Sequence, residues 1–189
     1  MKYIKDFIKI KKLTENYWGN IELNEKVYGF QAQKGTKWKK GLSENQITEF
    51  ENIMGFEFPE ILKDYYTVMN GVDNQQINLF GNSGYEYSYS QTIYSFPDDI
   101  QTIKNLIKWI YETNGIEEKE MEQKNISRIF PILSHRFILI DHEKHPILSM
   151  HGDDIILFAN NIIDLFNMDL LYMEGKKINY NIKINKWLD

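Results

Sequence analysis

The chain contains no cysteine, which excludes disulfides, thiolate catalysis and cysteine-based zinc sites. Proline is scarce, at 4 of 189 residues. The basic pairs Lys11-Lys12, Lys39-Lys40 and Lys176-Lys177 are short and scattered, and the net charge is −5, so the concentrated basic patch of a nucleic-acid-binding domain is missing. No window approaches the ~18 apolar residues of a membrane span. The opening residues, MKYIKDFIKIKKL, alternate charge and apolar side chains too closely for a signal-peptide core. No Gly-rich phosphate loop and no nucleophile elbow is present. These absences predict a cytoplasmic protein with no cofactor.

Hydrophobic residues make up 42% and aromatics a high 14%, led by 12 tyrosines and 11 phenylalanines. A chain of 189 residues without repeats or low-complexity linkers reads as a single domain over 1–189. Residues 3–13 place Ile4, Phe7, Ile8 and Lys11 at helical spacing. The stretch 20–33 alternates loosely and reads as a strand. From residue 42 the signals sharpen. Ser43 with Gln46 forms a capping box, Ile47, Phe50 and Met54 follow at helical spacing, and Gly55 ends the helix. A second helix starts at Pro59, carries Ile61, Leu62, Tyr65, Tyr66 and Met69, and is closed by Asn70-Gly71.

Tyr85, Tyr87 and Tyr89 share one face of an extended segment. That face is either a strand side packed under a helix, the reading favoured by aromatic burial, or a binding surface. A third helix begins at Pro97, with Asp98 and Asp99 at its positive end and Ile100, Ile103, Ile107 and Ile110 as its stripe. Glu117-Glu118 opens a solvated loop or short helix. IFPIL, RFILID, PILSMH and DIILFA are strands, the middle two forming a hairpin with HEKH at its tip. Residues 160–173 form a helix with Ile162, Ile163, Phe166 and Leu170 inward. Ile178, Tyr180, Ile182 and Ile184 mark a half-buried edge strand guarded by lysines. The order predicts an α+β fold, a mainly antiparallel twisted sheet with helices packed on one face.

All four histidines, His135, His142, His145 and His151, fall within residues 134–154. Zinc needs three or four ligands converging at ~2.0–2.3 Å. A hairpin turning at Glu143-Lys144 puts His142 and His145 at its tip and His135 and His151 near its open end. In that register His151 lies opposite Arg136 with His135 diagonal to it. A structural reading therefore outweighs a metal-dependent hydrolase. Ser134-His135 and Ser149-x-His151 are trivial pairings with no nucleophile elbow, and an exposed strand-entry turn explains Gly152-Asp153-Asp154 more simply than a carboxylate pair.

The segment GLSENQITEFENIMGFEFPEILKDYYTVMNG resembles the opening signature of the SMI1/KNR4 family, the SUKH superfamily. The matching positions are Leu42, Glu51, Phe58, Pro59, Tyr65 and Asn70-Gly71. IFPILSHRFILIDHEKHPILSMHGDDIILFANNIIDLF resembles the family's later strands and closing helix, so the likeness covers about 42–171. Val72 departs from the pattern, where a second glycine often sits. The resemblance implies helices against a twisted sheet, no established catalytic residues, and structural roles for Glu51, Pro59, Asn70 and Gly71. Bacterial members are similar to immunity proteins that neutralise toxins by binding; fungal relatives regulate cell-wall synthesis through protein contacts. The expected partner is thus a protein, a cognate toxin domain first and a regulatory target second. Tyr85, Tyr87, Tyr89, Asp98, Asp99, Asp153 and Asp154 are the candidate contact residues.

Overall fold

The computed structural model describes residues 1–81, 86–178, 182 and 184–188. Helix α1 (Ile4–Asn20) buries Phe7, Ile10, Thr14 and Trp18, one face of a 3.6-residue period. It is longer than residues 3–13 and rotated from the expected stripe, leaving Ile8 exposed. Its start is tied to the second helix of the next pair, where Tyr3 N donates to Asp64 Oδ2 at 2.7 Å.

The stretch 20–33 forms no strand. Beyond Asn20, which ends α1, it is a loop that meets the rest of the fold through the bridge from Gln31 to Ile77, the donation of Gln33 Nε2 to Gln75 O at 2.8 Å and the stacking of Tyr28 on Phe80. The Gln31 carboxamide closes the loop on itself, bonding the N–H and the carbonyl of Asn24 at 2.9 Å each. These bonds satisfy backbone groups that a ladder would otherwise claim.

Strand β1 (Trp38–Lys40) leads into α2 (Glu44–Met54) and α3 (Glu60–Val68). The capping box is formed reciprocally between Ser43 and Gln46, and Gly55 ends α2 in the left-handed region at φ 81°. Pro59 caps α3. Asn70-Gly71 does not close α3, which ends at Val68; both residues lie inside β2 (Met69–Val72), the antiparallel partner of β1. Next come β3 (Gln76–Asn78) and β4 (Ser88–Ser90), which pair antiparallel.

Helix α4 (Ile100–Thr113) buries Ile103, Ile107 and Ile110 with Ile100 half-buried, as the isoleucine spacing predicts. It is followed by the short α5 (Glu118–Met121). Strands β5 (Ile129–Leu133), β6 (Arg136–Leu139), β7 (Ile147–His151) and β8 (Asp154–Ala159) form a four-stranded antiparallel sheet in that order, closed by α6 (Ile162–Asp169). Consecutive residues of β5 and of Phe137–Leu139 are all buried, so both faces of the sheet are covered at these two strands. The class is α+β, with every pairing antiparallel and the strands divided among three sheets.

No strand occurs among the described residues after Ala159, so the expected C-terminal edge strand is not found there. Tyr180 lies outside the described residues. The segment is anchored by side chains instead. Trp187 stacks on Tyr111 and donates from Nε1 to Ser127 O at 2.9 Å, while Asn185 Nδ2 donates to Lys124 O at 2.6 Å.

The core is a chain of rings. Phe50 touches Phe58, Tyr66, Phe96 and Phe130, and Tyr65 links to Phe7, Trp38 and Phe166. Aromatics from α1, α2, α3, α6, β1 and β5 are thereby packed into one buried cluster.

Candidate functional site

Glu51, Pro59, Asn70 and Gly71 are consumed by the fold. Glu51 Oε1 accepts from Phe58 N at 2.6 Å and pairs with Lys63 Nζ at 3.1 Å, stapling the α2–α3 corner. Pro59 sets the entry to α3, and its carbonyl accepts from Leu62 N and Lys63 N. The buried Asn70 carboxamide clasps one residue from both sides, donating to Phe96 O at 2.7 Å and accepting from Phe96 N at 2.8 Å. Gly71 has φ 70°, and a Cβ there would stand 2.6 Å from Ser95 Cβ. Asn70-Gly71 therefore docks β2 onto the turn before α4.

Seven surface residues were expected to make contacts, and the six that are described fall at or beside β4, before α4 and at the β7–β8 turn. Tyr85 lies outside the described residues. Tyr87 and Tyr89 are 67% and 54% exposed, so they are not a strand face packed under a helix. The bridge from Gln31 to β3 brings the 28–31 loop alongside, adding Phe30 and an 83% exposed Tyr28 whose ring stacks on Phe80 at 4.3 Å. Tyr28, Phe30 and Phe80 were not among the expected contact residues: 20–33 reads as a strand, and in 77–96 only the tyrosines stand out. Gly29 beside two aromatics was the available signal for an exposed loop.

Asp98 and Asp99 are committed locally. Asp98 pairs with Lys39 Nζ at 2.9 Å, and that hydrogen bond holds its carboxyl below the usual range. Asp99 sits at the entry to α4, but its carboxylate turns back to accept from Ser95 N at 2.7 Å and Ser95 Oγ at 2.8 Å, so it supports the turn instead of capping the helix. Asp154 is exposed where the chain turns from β7 into β8, and Asp153 is exposed within that turn.

The histidines separate along the β6–β7 hairpin. His142 and His145 lie in its loop, where His145 N donates to His142 O. His135 and His151 lie at the other end, their ring centroids 6.5 Å apart. Among the described residues, no group of three His, Asp or Glu side chains is arranged to hold a metal ion. The register differs by two residues from the expected one. Arg136 pairs with Ser149, and His151 pairs with Asp154 and packs edge-on against Trp109 at 5.5 Å.

Arg136 is the centre of a small polar cluster. Its guanidinium lies over the Phe158 ring at 3.7 Å, reaches Asp169 Oδ2 at 3.4 Å, and donates from Nη1 to Ser149 Oγ and to His135 Nε2. Arginine can only donate, so His135 is neutral with Nε2 as acceptor and Nδ1 turned to Ser134 Oγ at 3.2 Å. Burial, then the Arg136 charge, then His151 lower the His135 pKa to about 4. Burial likewise raises Asp169 against the opposing pull of Arg136. A lone arginine opening the apolar run RFIL was the signal for this cluster.

Antiparallel α+β architecture, motif residues spent on docking helices to turns, and an exposed aromatic loop and strand define a scaffold whose distinctive chemistry is at its surface. A family model, the SMI1 / KNR4 family (SUKH-1), matches residues 41–168, most of the chain, and the protein belongs to that family. No curated protein and no solved structure gives a match. No helix among the described residues is long and apolar enough to cross a membrane.

Proposed function

We propose that this protein is a non-enzymatic binding module, an immunity protein that neutralises a cognate bacterial toxin by direct contact in the cytoplasm. Family membership over residues 41–168 carries the reading. The placement of Glu51, Pro59, Asn70 and Gly71 supports it, since these side chains hold the fold and leave recognition to the surface. Tyr87 and Tyr89, 67% and 54% exposed, supply the contact surface. Tyrosine offers large, rigid, amphipathic area and is enriched at protein interfaces. The net charge of −5 favours a basic partner, because opposite potentials speed encounter. Asp153 and Asp154 remain available to such a partner, whereas Asp98 and Asp99 are held by Lys39 and Ser95.

Co-expression with the toxin encoded by the neighbouring gene tests the reading. Growth rescue together with a co-purifying complex is the expected result. Absence of both rescue and complex contradicts it.

A further inference from the structure

The outer face of α1 carries a row of lysines with no carboxylate to meet them. Lys5, Lys9, Lys12 and Asn16 are spaced four, three and four residues apart, so at about 3.6 residues per turn they form one stripe, and all four are exposed. The stripe stands opposite the buried row Phe7, Ile10, Thr14 and Trp18, so it is the side that the packed helix presents. Elsewhere lysines find carboxylates at close range, as in Lys39–Asp98 at 2.9 Å, Lys63–Glu51 at 3.1 Å and Lys176–Asp164 at 3.2 Å. Among the described residues Lys5, Lys9 and Lys12 lie in no ion pair, whereas Lys11, off the stripe, pairs with Glu15. Asp6 is the one exposed acid of the helix. Residues 1–12 thus hold five lysines against one aspartate in a chain whose net charge is −5. Apolar side chains border the stripe. Ile8, 53% exposed, lies on one side, and Leu13 and Tyr17, also exposed, lie on the other. The Tyr17 ring meets the exposed Tyr172 ring edge-on, centroids 6.0 Å apart, which continues that border into the C-terminal segment.

We propose that α1 docks the protein on the surface of an anionic phospholipid bilayer, with Lys5, Lys9 and Lys12 among the headgroup phosphates and Ile8, Leu13 and Tyr17 at the acyl boundary. A straight row of lysines needs only a plane of negative charge, with no carboxylates placed to match it. Lysine is depleted in protein–protein interfaces. A nucleic-acid backbone is contacted by polar and cationic side chains and offers Ile8 and Leu13 no cover. The headgroup region takes both kinds of side chain at once, and tyrosine is favoured there. The helix rests on the bilayer and does not cross it, since no helix among the described residues is long and apolar enough to do so. With its main apolar face spent on the core, α1 inserts little, and the association is weak and salt-dependent. The stripe escapes a search for basic runs because its lysines are three and four residues apart. The inference does not rest on the toxin-binding reading, as α1 precedes the matched residues 41–168.

Co-sedimentation of the purified chain with sucrose-loaded vesicles tests the proposal. The chain should pellet with vesicles that contain phosphatidylglycerol and stay in the supernatant with pure phosphatidylcholine. Raising NaCl from ~0.05 M to ~0.5 M should release it, because the screening length shrinks about threefold. Lys5→Gln/Lys9→Gln/Lys12→Gln should lower the partition coefficient about 100-fold. Ile8→Ser/Leu13→Ser should lower it about 10-fold and leave the salt dependence in place. Both variants should keep the thermal midpoint of the parent chain, since the altered side chains already face solvent. No pelleting with phosphatidylglycerol, equal pelleting with pure phosphatidylcholine, or an unchanged partition in the lysine variant overturns the proposal. So does a partition indifferent to Ile8→Ser/Leu13→Ser together with equally tight binding to duplex DNA or polyglutamate, which would assign the stripe to a soluble polyanion.

Discussion

The Asn70 carboxamide meets the N–H and the C=O of a single residue, Phe96, and all of these groups are buried. Removing the amide leaves two backbone groups without partners and without water. Asn70→Ala is therefore expected to cost about 2–4 kcal/mol, measured as a lowered midpoint in urea at unchanged slope. His135 makes the complementary point for charge. Its neutral ring accepts from Arg136, and a proton there would place two cations in contact. Its folded pKa, about 4, lies below its ordinary 6.5, so the unfolded chain takes up the proton first. The resulting stabilisation is fully present above pH 6.5 and is lost as pH falls toward 4. Imidazole NMR across this range should find His135 still neutral at pH 5. A His135→Gln variant, which has no proton to bind there, should show a shallower loss of stability over the same window.

At the scale of elements, helices were legible where local chemistry decides them. Ser43, Gln46 and Gly55 mark both ends of α2, and the isoleucine spacing fixes the buried face of α4. Ser43→Ala is expected to cost ~1 kcal/mol, read by thermal or chemical unfolding, because the cap satisfies one otherwise orphaned N–H. The expectations that failed were decided by distant partners. Asn70-Gly71 looks like a helix stop, yet Trp38 and Lys40 recruit Met69–Val72 into a strand. Residues 20–33 carry a strand-like alternation, but the Gln31 carboxamide folds them onto Asn24. The C-terminal isoleucines alternate cleanly, while Trp187 and Asn185 tie that segment to Ser127 and Lys124 without a strand among the described residues. In the β6–β7 hairpin, a seven-residue connection between Leu139 and Ile147 set a register two residues from the one the polar tip suggested. Pairing partners and loop lengths are non-local, so no window of sequence contains them.

For the whole molecule, the family was legible in the segments 42–72 and 129–166, which lie within the matched residues 41–168. The surface was less so. Exposure of Tyr87 and Tyr89 depends on what packs against β4, and the stacking of Tyr28 on Phe80 joins residues far apart in the chain. If these rings hold the partner, the double variant Tyr87→Ser/Tyr89→Ser should weaken toxin binding ~100-fold or more by calorimetric titration. It should leave the unfolding midpoint near that of the parent chain, since both side chains already face solvent. The central claim is that protection comes from occupancy and not from turnover. It is tested most directly by titrating a fixed amount of the neighbouring gene's toxin with this protein and following toxin activity. Binding predicts a linear fall that reaches its floor near stoichiometric equivalence and stays constant with time. Complete inactivation by a small fraction of an equivalent, deepening as incubation lengthens, would contradict it.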